Sequence, residues 1–138
     1  YTTPIGTGAI VQEGNDLSII TYGQSVHWAK EISLEYLNKG INIEIVDLRS
    51  LVPWDKALVE QSIQKTNRVL VLHEANLSGG IGGEIASYIS EHFFESLDAP
   101  VMRLGSLDTP VPFSPKIEKD VYLPISRIKE KVDYLLEY

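Results

Sequence analysis

His73 and Glu74 are the pair most suggestive of acid–base chemistry in this sequence. A histidine beside a carboxylate has the make-up of a general base. The run Val69-Leu70-Val71-Leu72 before them reads as a strand, and adjacent strand residues face opposite sides. The two side chains are therefore expected not to touch. His27 and His92 are distant in sequence, and no His, Asp and Glu set has metal-ligand spacing. Ser78, Gly79, Gly80, Gly82 and Gly83 follow at the start of a helical pattern. Glycines there permit close helix packing, or an anion held by free backbone N–H groups. Packing or an interface is the favoured reading, so His73, Glu74 and this run form a candidate interface or anion-binding loop.

Three other stretches carry polar groups at expected strand ends, where ligands gather in open parallel sheets. Gly23-Gln24-Ser25 is a tight turn with Ser25 as N-cap, or a weaker anion site. Asp47 and Arg49 lie two apart and are expected to point the same way, able to pair with other groups. Beyond them, Asp55 caps a helix and Trp54 is suited to an interface. Asp108, Thr109, Pro110 and Pro112 form an extended segment stiffened by proline, better suited to docking another chain than to catalysis. The sequence has no GxGxxG, GxxxxGK[ST] or GxSxG motif and no paired-carboxylate motif.

The elements that must position these residues alternate in period. β-branched or apolar runs at 5–12, 17–22, 43–48, 68–74 and 101–104 predict five strands. The first reads as an edge strand. The fourth run, apolar throughout 69–72, does not alternate and suits a parallel strand covered on both faces. Helical spacing predicts helices from Ser25 to a stop at Gly40, from Pro53–Asp55 through Ile63, over 81–93, and over 128–136. The connection with Pro110, Pro112 and Pro115 is expected to resist regular structure. Strands alternating with helices imply an α/β fold with a mostly parallel sheet covered on both faces.

Composition bounds function. The chain has 138 residues, the size of one domain with a genuine core. It has no cysteine, which excludes disulfides, cysteine–zinc sites and cysteine nucleophiles. The net charge of -7 lacks the basic footprint nucleic acid requires; it serves solubility, or recruits a basic partner. No apolar run approaches the roughly 20 residues that span a bilayer.

Taken in order, several motifs resemble the last domain of the beta subunits of thiamine-diphosphate-dependent 2-oxoacid dehydrogenases. They are Tyr1-Thr2-Thr3-Pro4-Ile5-Gly6, Ile20-Thr21-Tyr22-Gly23, Val46-Asp47-Leu48-Arg49, Pro53-Trp54-Asp55, Lys65-Thr66, His73-Glu74-Ala75, Gly79-Gly80 with Glu84-Ile85, Leu97-Asp98-Ala99-Pro100 and Asp108-Thr109-Pro110. The resemblance covers essentially the whole chain. It implies a transketolase C-terminal-like fold: three layers, α/β/α, around a five-stranded, mostly parallel mixed sheet, with residues 1–138 forming one domain of a longer beta subunit. Pro53-Trp54-Asp55 and His73-Glu74-Ala75 look most like the branched-chain, 2-oxoisovalerate members, although Asn76 stands where their pattern commonly has proline. Pyruvate, acetoin and transketolase-type members, or a small-anion-binding regulatory module, are the alternatives. In the family, the parent decarboxylates a 2-oxoacid on thiamine diphosphate with magnesium and reductively acylates a lipoyl group. The cofactor lies outside this domain, so no catalytic, cofactor-binding or metal-binding residue carries over. The implied partners are the rest of the beta subunit, the alpha subunit, a second beta subunit and the basic subunit-binding domain of the acyltransferase. The implied location is the cytoplasm, or the mitochondrial matrix in a eukaryote.

Overall fold

A computed structural model describes residues 4–138. The motif at Tyr1 to Thr3 lies outside the described residues. Five strands, β1 (Ala9–Gln12), β2 (Leu17–Thr21), β3 (Ile43–Asp47), β4 (Val69–Asn76) and β5 (Met102–Ser106), form one sheet in the order β1-β3-β2-β4-β5. β1 runs antiparallel to β3, and the other pairs are parallel. This is the expected mixed sheet with an antiparallel edge strand.

Alternation along each strand feeds two separate cores. Leu17 and Ile19 of β2, with Leu70 and Leu72 of β4, pack against α1 (Ser25–Leu37) and α5 (Ile128–Leu136) through Trp28, Ala29, Tyr36, Ile128 and Val132. Ile20, Val69 and Val71 face α2 (Lys56–Thr66) and α3 (Ile81–His92) through Val59, Ile63, Ile85 and Ile89. Burial on both faces explains why these strands read as continuous apolar runs.

Two groups of buried polar residues sit inside the second layer. Ser18 Oγ lies 2.6 Å from both Ser62 Oγ and Thr66 Oγ1. Glu44 is fully buried; it accepts from Gly14 N–H at 3.2 Å and pairs with Lys65.

Several local expectations change. Ser25 is the first residue of α1 rather than its cap; Gln24 holds that position without a side-chain bond. Gln24 is already in the right-handed helical conformation, so the turn closes one residue earlier. Asp55 caps α2 as expected, accepting from Leu58 N–H at 3.1 Å, and its second oxygen takes Gly8 N–H at 3.0 Å. Trp54 is not an interface residue. It is 7% exposed and sits edge-on to Tyr88 in the α2/α3 core. Arg49 leaves strand geometry at φ 59°, so Asp47 and Arg49 turn toward each other, with Arg49 N–H donating to Asp47 Oδ1 at 3.1 Å. The proline segment is irregular up to Ser114, but Pro115 starts a short helix α4 (Pro115–Ile117), because the first helical position needs no N–H. A π turn (Glu118–Tyr122) and a 3₁₀ turn (Pro124–Arg127) then lead into α5.

Candidate functional site

β2 is central: its chain successors β3 and β4 lie on opposite sides of it. The carboxyl ends of β2 and β4 are thus the switch point at which an open α/β sheet forms a crevice. His73 and Glu74 stand toward that end of β4.

His73 is fully buried while Glu74 is exposed, and the two face opposite sides of the sheet. The His73 ring lies 2.8 Å through Nδ1 from the Ala75 carbonyl, which assigns the proton to Nδ1. Its Nε2 has no hydrogen-bond partner among the described residues. Burial, the largest effect, lowers the His73 pKa below the ordinary 6.5, and the Arg103 charge acts the same way against the Ala75 bond.

Three glycines enclose the ring. A Cβ on Gly82 would come within 2.5 Å of Nε2, one on Gly105 within 2.6 Å of Cε1, and one on Gly80 within 3.0 Å of Cε1. Gly82 and Gly80 belong to the first turn of α3 and its cap, so the ring fills the gap between sheet and helix. A histidine so enclosed cannot reach a substrate proton. The glycine run at 80–82 serves packing, and the acid–base reading of His73-Glu74 falls.

The rest of the loop is laced to the segment after β5. Ser78 donates to the Asp108 carboxylate through its backbone N–H at 3.0 Å and its Oγ at 2.5 Å. Those bonds, the hydroxyl's first, hold the Asp108 pKa below the ordinary carboxylate value. Asn76 Nδ2 donates to the Leu107 carbonyl, and Leu77 N–H to the Ser106 carbonyl at 3.0 Å. The backbone N–H at Ser78 is therefore already bonded to an anion, supplied from within the chain. Gly79, at φ +73°, makes the exposed turn between these bonds and α3; Gly83 faces Arg103, 3.5 Å from where its Cβ would stand.

Sequence reasoning treated His73 to Gly83 and Asp108 to Pro112 as separate stretches, and the fold joins them. Thr109, Pro110 and Pro112 continue from the clasp onto the surface, where Leu107, Val111 and Phe113 are exposed, Phe113 fully. Gly105 was missed, although a glycine inside a strand marks a close approach. Among the described residues no three His, Asp or Glu side chains gather as a metal site, and no helix is long and apolar enough to cross a membrane.

Fold and site together define a three-layer α/β/α domain whose carboxyl-end loops are tied to each other. Residues 6–128 match the family model for the transketolase C-terminal domain, and the chain belongs to that family. It is 37% identical, over 97% of its length, to the 2-oxoisovalerate dehydrogenase subunit beta 2, mitochondrial, of Arabidopsis thaliana. It is 36% identical, over 96%, to a pyruvate dehydrogenase E1 component subunit beta of Gracilaria tenuistipitata var. liui. It is 41% identical, over 90%, to the acetoin:2,6-dichlorophenolindophenol oxidoreductase subunit beta of Bacillus subtilis (strain 168). The chain spans only 38%, 41% and 36% of those relatives respectively. A solved split gene transketolase, an inactive beta4 tetramer, superposes with a TM-score of 0.83 at 26% identity, over 99% of this chain and 43% of that one.

Proposed function

We propose that this chain is the C-terminal domain of the beta subunit of a thiamine-diphosphate-dependent 2-oxoacid dehydrogenase, and that its part is assembly and docking. The observation that carries this is the surface beyond β5. Leu107, Val111, Phe113, Ile117 and Val121 are all exposed along one short stretch. A monomer gains nothing by presenting such a patch to water, and patches of this kind mark interaction sites. The Ser78–Asp108 clasp holds the segment in place before a partner arrives, which lowers the ordering cost of docking.

In this reading Asp108, Thr109, Pro110 and Pro112, with the exposed Ser78 and Gly79, form the docking surface. The partners are the rest of the beta subunit, the alpha subunit and a second beta subunit. The net charge of -7 favours a basic acyltransferase domain as a further one. Thiamine diphosphate and its magnesium lie elsewhere in the parent. The Pro53-Trp54-Asp55 and His73-Glu74-Ala75 motifs favour a branched-chain 2-oxoacid over pyruvate or acetoin.

Phe113→Ser in the full-length beta subunit tests the reading. Assembly with the alpha subunit, followed by sedimentation, is expected to weaken, while the melting of the isolated 138-residue domain stays unchanged because Phe113 touches no core. Assembly at wild-type strength overturns the docking role. Tight calorimetric binding of thiamine diphosphate to the isolated domain overturns the non-catalytic one.

A further inference from the structure

The two ring nitrogens of His73 have unequal surroundings. Nδ1 is bonded to the Ala75 carbonyl at 2.8 Å, while Nε2 has no partner among the described residues. The entry to α3 closes that side of the ring. A methyl on Gly82 would lie 2.5 Å from Nε2, and one on Gly80 3.1 Å from it.

The neutral ring fits this enclosure and the imidazolium does not. A second N–H at Nε2 would point at glycine backbone and meet no acceptor. Its charge would face the N-terminus of α3, the positive end of the helix macrodipole. Arg103 on β5 adds a like charge. On β2 the facing group is the Tyr22 ring, its centroid 6.4 Å away. Glu74 points to the other face of the sheet, and Glu84 in the first turn of α3 is exposed. Glu44, the one fully buried carboxylate among the described residues, pairs with Lys65 on the far side of β2.

The element that must yield to a charged ring is lightly held. Gly80 caps α3 without a side-chain bond, and Gly79, Gly80, Gly82 and Gly83 are four of five consecutive residues. Local opening draws on segments of this kind. The bonds it would break are Gly83 N–H to the Gly80 carbonyl and the two from Ser78 to Asp108. We infer that His73 is an acid-released latch: its neutral ring seats the first turn of α3, and a proton on Nε2 unseats that turn together with the Ser78–Asp108 clasp. The latch stands on the enclosure of the ring and holds whether or not the docking role is correct.

The closed loop keeps the ring neutral, and the open loop lets it titrate at its ordinary value of about 6.5. Opening therefore takes up one proton. Its equilibrium constant rises about tenfold for each pH unit below that value, until the lowered value of the closed form is reached. Asp108 takes no part between pH 5 and 8, because its own pKa is held below the ordinary 3.8.

Native-state hydrogen exchange of the chain between pH 5 and 8, corrected for the intrinsic rate, tests the latch. Protection at the Ser78 and Gly83 amides is expected to be flat above pH 7 and to fall about tenfold per pH unit below 6.5. That exchange is expected to be insensitive to low urea, which marks a local opening. His73→Gln, which cannot take up the proton, is expected to flatten the profile. Protection that is independent of pH, that depends on urea as steeply as the β2 amides, or that keeps its slope in His73→Gln overturns the latch. The wild-type ring gives a second reading by NMR at Cε1, which stands even where the variant does not fold. Its titration is expected to end where the rise in loop opening ends, and a titration completed while Ser78 and Gly83 keep full protection overturns the latch.

Discussion

The enclosure of His73 is tested most sharply by two neighbouring glycines that sequence alone treats alike. Gly82 and Gly83 both lie in the first turn of α3, and neither has the positive φ that demands glycine. Helix propensity favours alanine over glycine by about 1 kcal/mol at each. The surroundings decide the sign. At Gly83 a new methyl would stand 3.5 Å from Arg103 Nη1, an ordinary contact at the end of a flexible side chain. At Gly82 it would stand 2.5 Å from His73 Nε2 and 2.6 Å from Cδ2. The ring cannot retreat, because Nδ1 is tied to Ala75 and Gly80 and Gly105 flank it. Overpacking a fixed core of this kind costs about 1–3 kcal/mol. Gly83→Ala is therefore expected to gain up to about 1 kcal/mol. Gly82→Ala is expected to lose about 1–2 kcal/mol net, lowering the melting temperature by roughly 5 °C. Urea denaturation of both variants reads the difference. In a His73→Ser background the added methyl has room, so Gly82→Ala is expected to turn neutral or stabilising. Equal stabilisation by both alanines in the wild-type background would refute the enclosure.

Further outcomes follow from the same contacts. His73 has a folded pKa below its unfolded value, so the neutral ring contributes stability that is fully present above about pH 6.5. That stability is lost as the pH falls from there through the depressed folded value. Urea midpoints at pH 7.5 and 5.5 are expected to differ more in the wild type than in His73→Gln, and identical slopes would contradict this. Lys65→Met leaves the buried Glu44 carboxylate without its counter-charge. Breaking a buried pair from one side costs about 3–5 kcal/mol; Lys65 is 37% exposed, so roughly half of that is expected by chemical denaturation. Adding Glu44→Gln should restore much of it, and a failure to do so would place the loss elsewhere. Asp108→Asn weakens the clasp at the surface, so hydrogen exchange at 107–113 is expected to quicken with little change in melting. Unchanged exchange would mean the clasp does not order the segment.

Most elements of this fold are legible locally. A strand buried on both faces needs apolar residues at every position, and a helix repeats its core face every three to four. The expected strands at 17–22, 43–48 and 68–74 therefore appear within a residue or two of their place. Asp55 shows as a cap because its bond runs to a residue three positions on. The less legible features depend on partners far along the chain. Nothing near Ser78 announces Asp108, 30 residues away. Trp54 reads as an interface residue until Tyr88 is brought against it. Arg127 meets Gly105 only after the chain has crossed the prolines and two irregular turns.

His73 and Glu74 draw the same boundary. Their adjacency on a strand is enough to predict that they face apart, because the period of two is a property of the backbone. The sequence likewise determined the five strands, the four longer helices, the acidity and the family. Only the tertiary structure decided that His73 is enclosed by Gly80, Gly82 and Gly105, that Asp108 occupies the Ser78 N–H, and that Arg127 is held by the Val121 and Gly105 carbonyls. Those outcomes turn on distances of a few ångströms between segments that meet only once the sheet is assembled and its helices are packed.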